Sequence, residues 1–277
     1  MKKIIPVLIY ISYFSLPAFS QNGTLFKYNF KPNHTYIQNI DQKESSEILY
    51  SGDSAFKAKM KLHQLKDFET SENTQRIVTS INTDNLTNDS SFKMTLEFTE
   101  TAANNNPIVS SGTKLFAHCK SNKFFPIIDS ISILAKTDDN DEKAIELAKS
   151  AILNIDFPEK KLDIGQVFFK SYPVPYSSKN NETVMVSVGT GYKLLSIENG
   201  IAKFEIKQVY KINLGKSKIP ASITGEGKGT MLYDIKEDFY TAYELHTKLV
   251  YKVKKENYTI QTTTSNTLTH YITIGKK

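Results

Sequence analysis

Apolar and polar residues alternate with a period of two along most of this chain, the pattern of extended strands that bury one face and wet the other. From Phe56 to His63 the alternation is strict, with Phe56, Ala58, Met60 and Leu62 on one side and Lys57, Lys59, Lys61 and His63 on the other. It recurs where Phe92, Met94, Leu96 and Phe98 oppose Lys93, Thr95 and Glu97, and where Ala202, Phe204 and Ile206 oppose Lys203, Glu205 and Lys207. A fourth stretch, Phe239 to Lys252, sets Tyr243, Leu245 and Leu249 against Glu244, His246 and Lys248. Parallel strands covered by helices on both faces read as unbroken apolar runs, so these strands are expected to be antiparallel.

Further strands are expected near 24–30, 34–41, 75–82, 113–119, 123–129, 166–171, 183–189, 192–198, 221–235 and 257–274, about fourteen in all. Asn199-Gly200 marks a tight hairpin. One helix is expected, at about 140–154. Asp138 and Asp139 offer caps, and Ala144, Ile145, Ala148, Ala151 and Ile152 form an apolar stripe ahead of the stop at Pro158. The expected fold is mainly β: a large curved antiparallel sheet, a half-barrel or open barrel, with one central helix, the alternative being a β-sandwich. Its two sheet-forming halves, about 24–135 and 160–274, are joined by the helix within a single domain, 21–277. With 277 residues, 39% of them apolar, the chain can bury roughly 70–75% of its unfolded surface and needs no cross-link. Its single cysteine, Cys119, could form no internal disulfide.

Residues 1–20 read as a secretory signal peptide. Lys2 and Lys3 provide the positive start, Ile4 to Phe14 the apolar middle, and Ala18-Phe19-Ser20 the small residues a signal peptidase reads. The apolar run from Ile4 to Phe19 is interrupted by Pro6, Ser12, Ser15 and Pro17 and falls short of the about 20 residues of a membrane span. Cleavage before Gln21 is expected, leaving no transmembrane segment in the mature chain and a periplasmic or secreted location. Without Lys2 and Lys3 the net charge of +6 drops to +4. Arg76 is the only arginine, whereas nucleic-acid recognition draws on the bidentate arginine fork, so no nucleic-acid partner is expected.

No motif announces a chemistry. His34, His63, His118, His246 and His270 are scattered without zinc spacing, and neither a metal nor a cofactor is expected. His118 and Cys119 are adjacent in a strand and face opposite ways, which rules them out as a thiolate and its base. Gly225, Gly227 and Gly229 lack the Gly-Lys-Ser/Thr ending of a phosphate loop and are read as a place where the sheet bends or another element comes close. There is no Gly-x-Ser-x-Gly elbow, and context marks out no carboxylate pair. Lys57, Lys59 and Lys61 read as a solvated comb on a strand. Asp53-Ser54-Ala55 and Asp129-Ser130-Ile131 are similar to an acceptor motif for O-glycosylation of exported proteins.

Three stretches carry a family resemblance. They are Tyr28-Asn29-Phe30-Lys31-Pro32-Asn33-His34-Thr35-Tyr36, then Phe157-Pro158 followed by Asp163-Ile164-Gly165, then Thr224-Gly225-Glu226-Gly227-Lys228-Gly229 leading to Tyr233-Asp234. With these the mature chain resembles a family of uncharacterised, exported, β-rich Gram-negative proteins. The family commonly has a Trp shortly after the position of Gly165, where this chain has Phe168. Its layout looks like that of periplasmic lipoprotein carriers of the LolA and LolB kind, which implies a strongly curved antiparallel sheet around an apolar cavity closed by helix.

Two functional readings follow, and the sequence offers no positive feature for a third, an enzyme. In the first, the concave face binds a hydrophobic small molecule, a lipid or an acyl chain, through Phe92, Met94, Leu96, Phe98, Phe204, Ile206, Tyr243 and Leu245. In the second, the same faces pack against each other in a structural domain of the cell envelope that meets a protein partner. A large apolar cavity among the packed side chains favours the first.

Overall fold

A computed structural model describes residues 23–120, 126–132, 140–151, 155, 157–177, 183–213 and 221–277. The expected signal peptide, 1–20, and Asp138, Asp139 and Ile152 lie outside the described residues. Alternation is realised as twelve strands: β1 (His34–Gly52), β2 (Phe68–Thr83), β3 (Ser91–Ala103), β4 (Asn106–Pro107), β5 (Lys114–Lys120), β6 (Ile127–Ser132), β7 (Val167–Ser177), β8 (Thr183–Glu198), β9 (Ile201–Asn213), β10 (Ala221–Asp234), β11 (Phe239–Lys254) and β12 (Tyr258–Lys276). Two helices accompany them, α1 (Ser54–Leu62) and α2 (Asn140–Ala151).

All twelve strands join one antiparallel sheet in the order β6-β5-β3-β2-β1-β12-β11-β10-β9-β8-β7, with β4 attached to β3. The order is a meander on each side of a seam where β1 and β12 pair along their full lengths, from His34 opposite Lys276 to Gly52 opposite Tyr258. The two ends of the sheet, β6 and β7, do not pair, so the sheet is open, and among the described residues there is no second sheet to make a sandwich. It curls nonetheless: Leu115 on β5 and Phe168 on β7, near opposite edges, belong to one buried cluster. Between β8 and β9 the chain turns through Asn199 and Gly200, both at positive φ, as the Asn-Gly pair dictates. Among the described residues, no helix is long and apolar enough to cross a membrane.

Three local expectations fail. Residues Phe56–His63 lie not in a strand but largely in α1, of which only Met60 is buried. Asp53 caps this helix by accepting the Phe56 amide at 2.8 Å, and Ala and Lys are good helix formers. The lysine comb is therefore distributed around a mostly exposed helix, anchored where Phe56 stacks on Tyr258 at 4.7 Å. Replacing Asp53 with Ala should remove about 1 kcal/mol of local stability. Amide exchange across Ser54–Leu62 should then quicken while the sheet's exchange stays as it was.

Residues 24–30 also form no strand. Only Thr24 pairs, with Leu162, through two 2.9 Å backbone bonds. Phe26, Tyr28 and Phe30 are nevertheless buried in alternation, so the extended segment crosses the core as a strap. Tyrosine hydroxyls replace the missing ladder: Tyr233 bonds the Lys27 carbonyl, and Tyr36 accepts the Lys31 amide at 2.8 Å. Finally, the two strands expected at 183–189 and 192–198 are one, β8, with a register irregularity between Leu194 and Ser196.

Among the glycines of β10, Gly225 and Gly229 lie close to the backbone of β11, and Gly227 lies against the side chains of Gln208 and Thr247. A Cβ at Gly229 would fall inside the van der Waals surface of the Glu244 carbonyl on β11. The close approach is thus between hydrogen-bonded neighbours in a tightly coiled part of the sheet.

Candidate functional site

The concave face divides into a packed part and an open part. Around Phe204 and Phe239, on β9 and β11, it is filled. Phe204 is fully buried against Phe26 at 5.1 Å, Phe157 at 5.9 Å and Phe168 at 6.3 Å. Phe168 in turn stacks on Tyr192 at 4.7 Å, and Tyr28 meets Phe239 at 4.5 Å. The strap 24–30 and the segment around Phe157 supply these covering rings. Sequence periodicity registered Phe26, Tyr28 and Phe30 only as residues of another strand.

Over β3, β5 and β6 the face is covered by α2 instead, and the fit leaves a cavity of about 840 Å³. Its floor is Met94 and Leu96 of β3 with Leu115 and Ala117 of β5, its side wall Ile128 and Ile131 of β6, and its roof Ile145 and Ala148 of α2. The helix presents these residues because Ala144, Leu147 and Ala148 face the sheet and are buried. Ile145, one turn from the latter, is half-buried against the same core. Two of the lining residues, Ala117 on β5 and Ala148 on α2, are small alanines that leave room where larger side chains would fill it. The polar lining consists of Asp129, Ser130 and Lys149.

All eight residues expected to bind a ligand are buried in one cluster, yet the structure separates them. Met94 and Leu96 line the cavity. Phe92, Phe98, Phe204, Ile206 and Tyr243 line none of the clefts described here and belong to the packed interior. Leu245 borders a smaller cleft of about 230 Å³, shared with Gln42, Glu44, Tyr210 and Asn266. Leu115, Ala117, Ile128 and Ile131 are the lining residues that alternation had not singled out. They lie on shorter strands whose apolar side chains are smaller.

The titratable groups near the cavity are engaged or inert. His118 Nδ1 lies 2.8 Å from the Asp129 carboxylate on the outer side of β5, while Cys119 points inward, with its Sγ 3.8 Å from Met94 Sδ. Burial pushes the Cys119 thiol up to about 12, which keeps it protonated and unreactive at neutral pH. His246 sits on the wet face between Glu244 at 2.8 Å and Thr267 at 3.0 Å.

His270 is the exception among the histidines. It is buried at the seam, its Nδ1 2.8 Å from the Tyr240 hydroxyl and its Nε2 without a hydrogen-bond partner. Burial lowers its pKa to about 3, so the ring is neutral. Among the described residues, no group of three or more His, Cys, Asp or Glu is placed to hold a metal ion. No protein-family model and no curated protein matches the chain.

Proposed function

We propose that this protein is an exported, non-catalytic binding module of the cell envelope, related to the LolA and LolB kind of carrier, that holds a lipid or acyl chain between α2 and the β3-β5-β6 wing. The observation that carries this reading is the roughly 840 Å³ cavity with mainly apolar walls. Ligand pockets run from about 300 to 1,000 Å³ with mainly apolar walls and few polar groups, whereas packed interiors hold few voids larger than a water molecule. An open, mainly apolar pocket of this size is covered most favourably by an apolar guest. Residues 1–20 supply the export part of the proposal.

The test is titration with an environment-sensitive fatty-acid probe. The wild type should bind it saturably. Ala117→Trp, which sets a large ring on the cavity floor, should remove binding while the far-UV spectrum stays that of the wild type. An unaltered affinity in a folded Ala117→Trp protein would move the ligand elsewhere. No saturable binding by the wild type would leave the envelope domain with a protein partner as the better reading.

A further inference from the structure

The cavity's polar groups are gathered on two elements, and their charges are unequal in availability. On β6, the Asp129 carboxylate lies 2.8 Å from His118 Nδ1, which faces the outer side of β5. On the last turn of α2, Lys149 lines the cavity and has no carboxylate within ion-pair distance among the described residues. An ammonium at the rim of an apolar chamber is in place to meet a negative charge carried by whatever enters. The aliphatic stem of Lys149 can lie along the apolar wall while the charged head stays in water.

Resting on the cavity reading above, the geometry points to a single-chain amphiphile with an anionic head as the ligand, its chain between α2 and the β3-β5-β6 wing and its head on Lys149. A neutral long-chain alcohol makes the same apolar contacts and forfeits the ion pair. A cationic amphiphile is repelled by Lys149, and the Asp129 carboxylate that could attract it is turned to His118 on the outer side of β5. The head chemistry has two natural sources, a fatty-acid carboxylate and the phosphate of a lysophospholipid. A lysine ammonium, a compact point charge, serves either.

The experiment compares palmitate, lysophosphatidate, hexadecanol and hexadecyltrimethylammonium by competition against the fluorescent probe at neutral pH, on wild type, Lys149→Ala and Lys149→Arg. Both anions should bind wild type more tightly than hexadecanol. Lys149→Ala should weaken them about fivefold, the scale of one largely exposed ion pair. Lys149→Arg should restore them and hexadecanol should not respond. Loss confined to palmitate assigns the carboxylate source, and loss confined to lysophosphatidate the phosphate source. Lys149 is exposed on its helix, so neither variant threatens the fold.

If hexadecanol competes as well as the anions, and Lys149→Ala leaves all four unchanged, the head-group assignment is overturned while the cavity reading stands. If the cation binds best and gains from Lys149→Ala, the assignment is overturned in favour of Asp129. If the probe binds saturably and no amphiphile displaces it, this inference falls and the binding reading stands; if the probe itself does not bind, both fall.

Discussion

Truncating Phe204 to Ala should lower unfolding stability by about 3–5 kcal/mol, read as a shift of the denaturant midpoint at unchanged slope. The ring is fully buried and met by Phe26, Phe157 and Phe168, which come from different parts of the chain and are held by their own neighbours. The strap and the segment around Phe157 cannot both collapse into the vacated space, so a cavity is left behind. Because Phe204 does not border the void under α2, probe affinity measured in water should be unchanged. A loss below about 1 kcal/mol would show the central concave face to be loosely filled, and a loss of probe binding with little loss of stability would restore Phe204 to the binding site.

The second large effect is a pH dependence carried by His270. In the unfolded chain this ring takes up a proton near pH 6.5, whereas burial in the folded protein lowers its pKa to about 3. Between those values the unfolded state binds more protons, so stability is fully present above pH 6.5 and is lost as pH falls through the window. By about pH 4 the loss amounts to about 3 kcal/mol. The groups beside the ring offer no relief: Tyr240 lies 2.8 Å from Nδ1, and Tyr243, opposite His270 on β11, is a buried phenol whose pKa is raised by desolvation. His270→Phe should therefore be less pH-sensitive than wild type by that amount in urea melts taken across the window. Parallel profiles for the two proteins would mean that the folded ring takes up its proton at no penalty.

Phe204 and His270 show how the sequence and the fold share the determination of this molecule. Alternation told that Phe204 sits on a covered face, since that is a property of neighbouring residues along one strand. It could not tell what covers it. Phe26 and Phe157 do, and they meet Phe204 only because the sheet curls. For Met94 and Leu96 the same alternation leads to a different outcome: they line a pocket shared with Ile145 and Ala148 of α2, which does not touch down everywhere. His270 reads in sequence as one scattered histidine among five, and its burial follows from the pairing of β1 with β12.

Helix α1 was legible in principle. Asp53 followed by Ser54-Ala55-Phe56 is a capping signal, but it competed with a strict alternation that had no buried face to serve. By itself the sequence determined the antiparallel strands, the Asn199-Gly200 turn and the main extent of α2, because strand facing, left-handed turn residues and helix periodicity are set within a few residues. The tertiary structure alone decided that the first and last strands meet at the centre of the sheet. It also decided that 24–30 straps the core instead of joining a ladder, and that the apolar face splits into a solid half and a hollow one. Those outcomes depend on contacts between segments far apart in the chain, where the matching of volumes across a gap, and not the pattern along either segment, selects the arrangement.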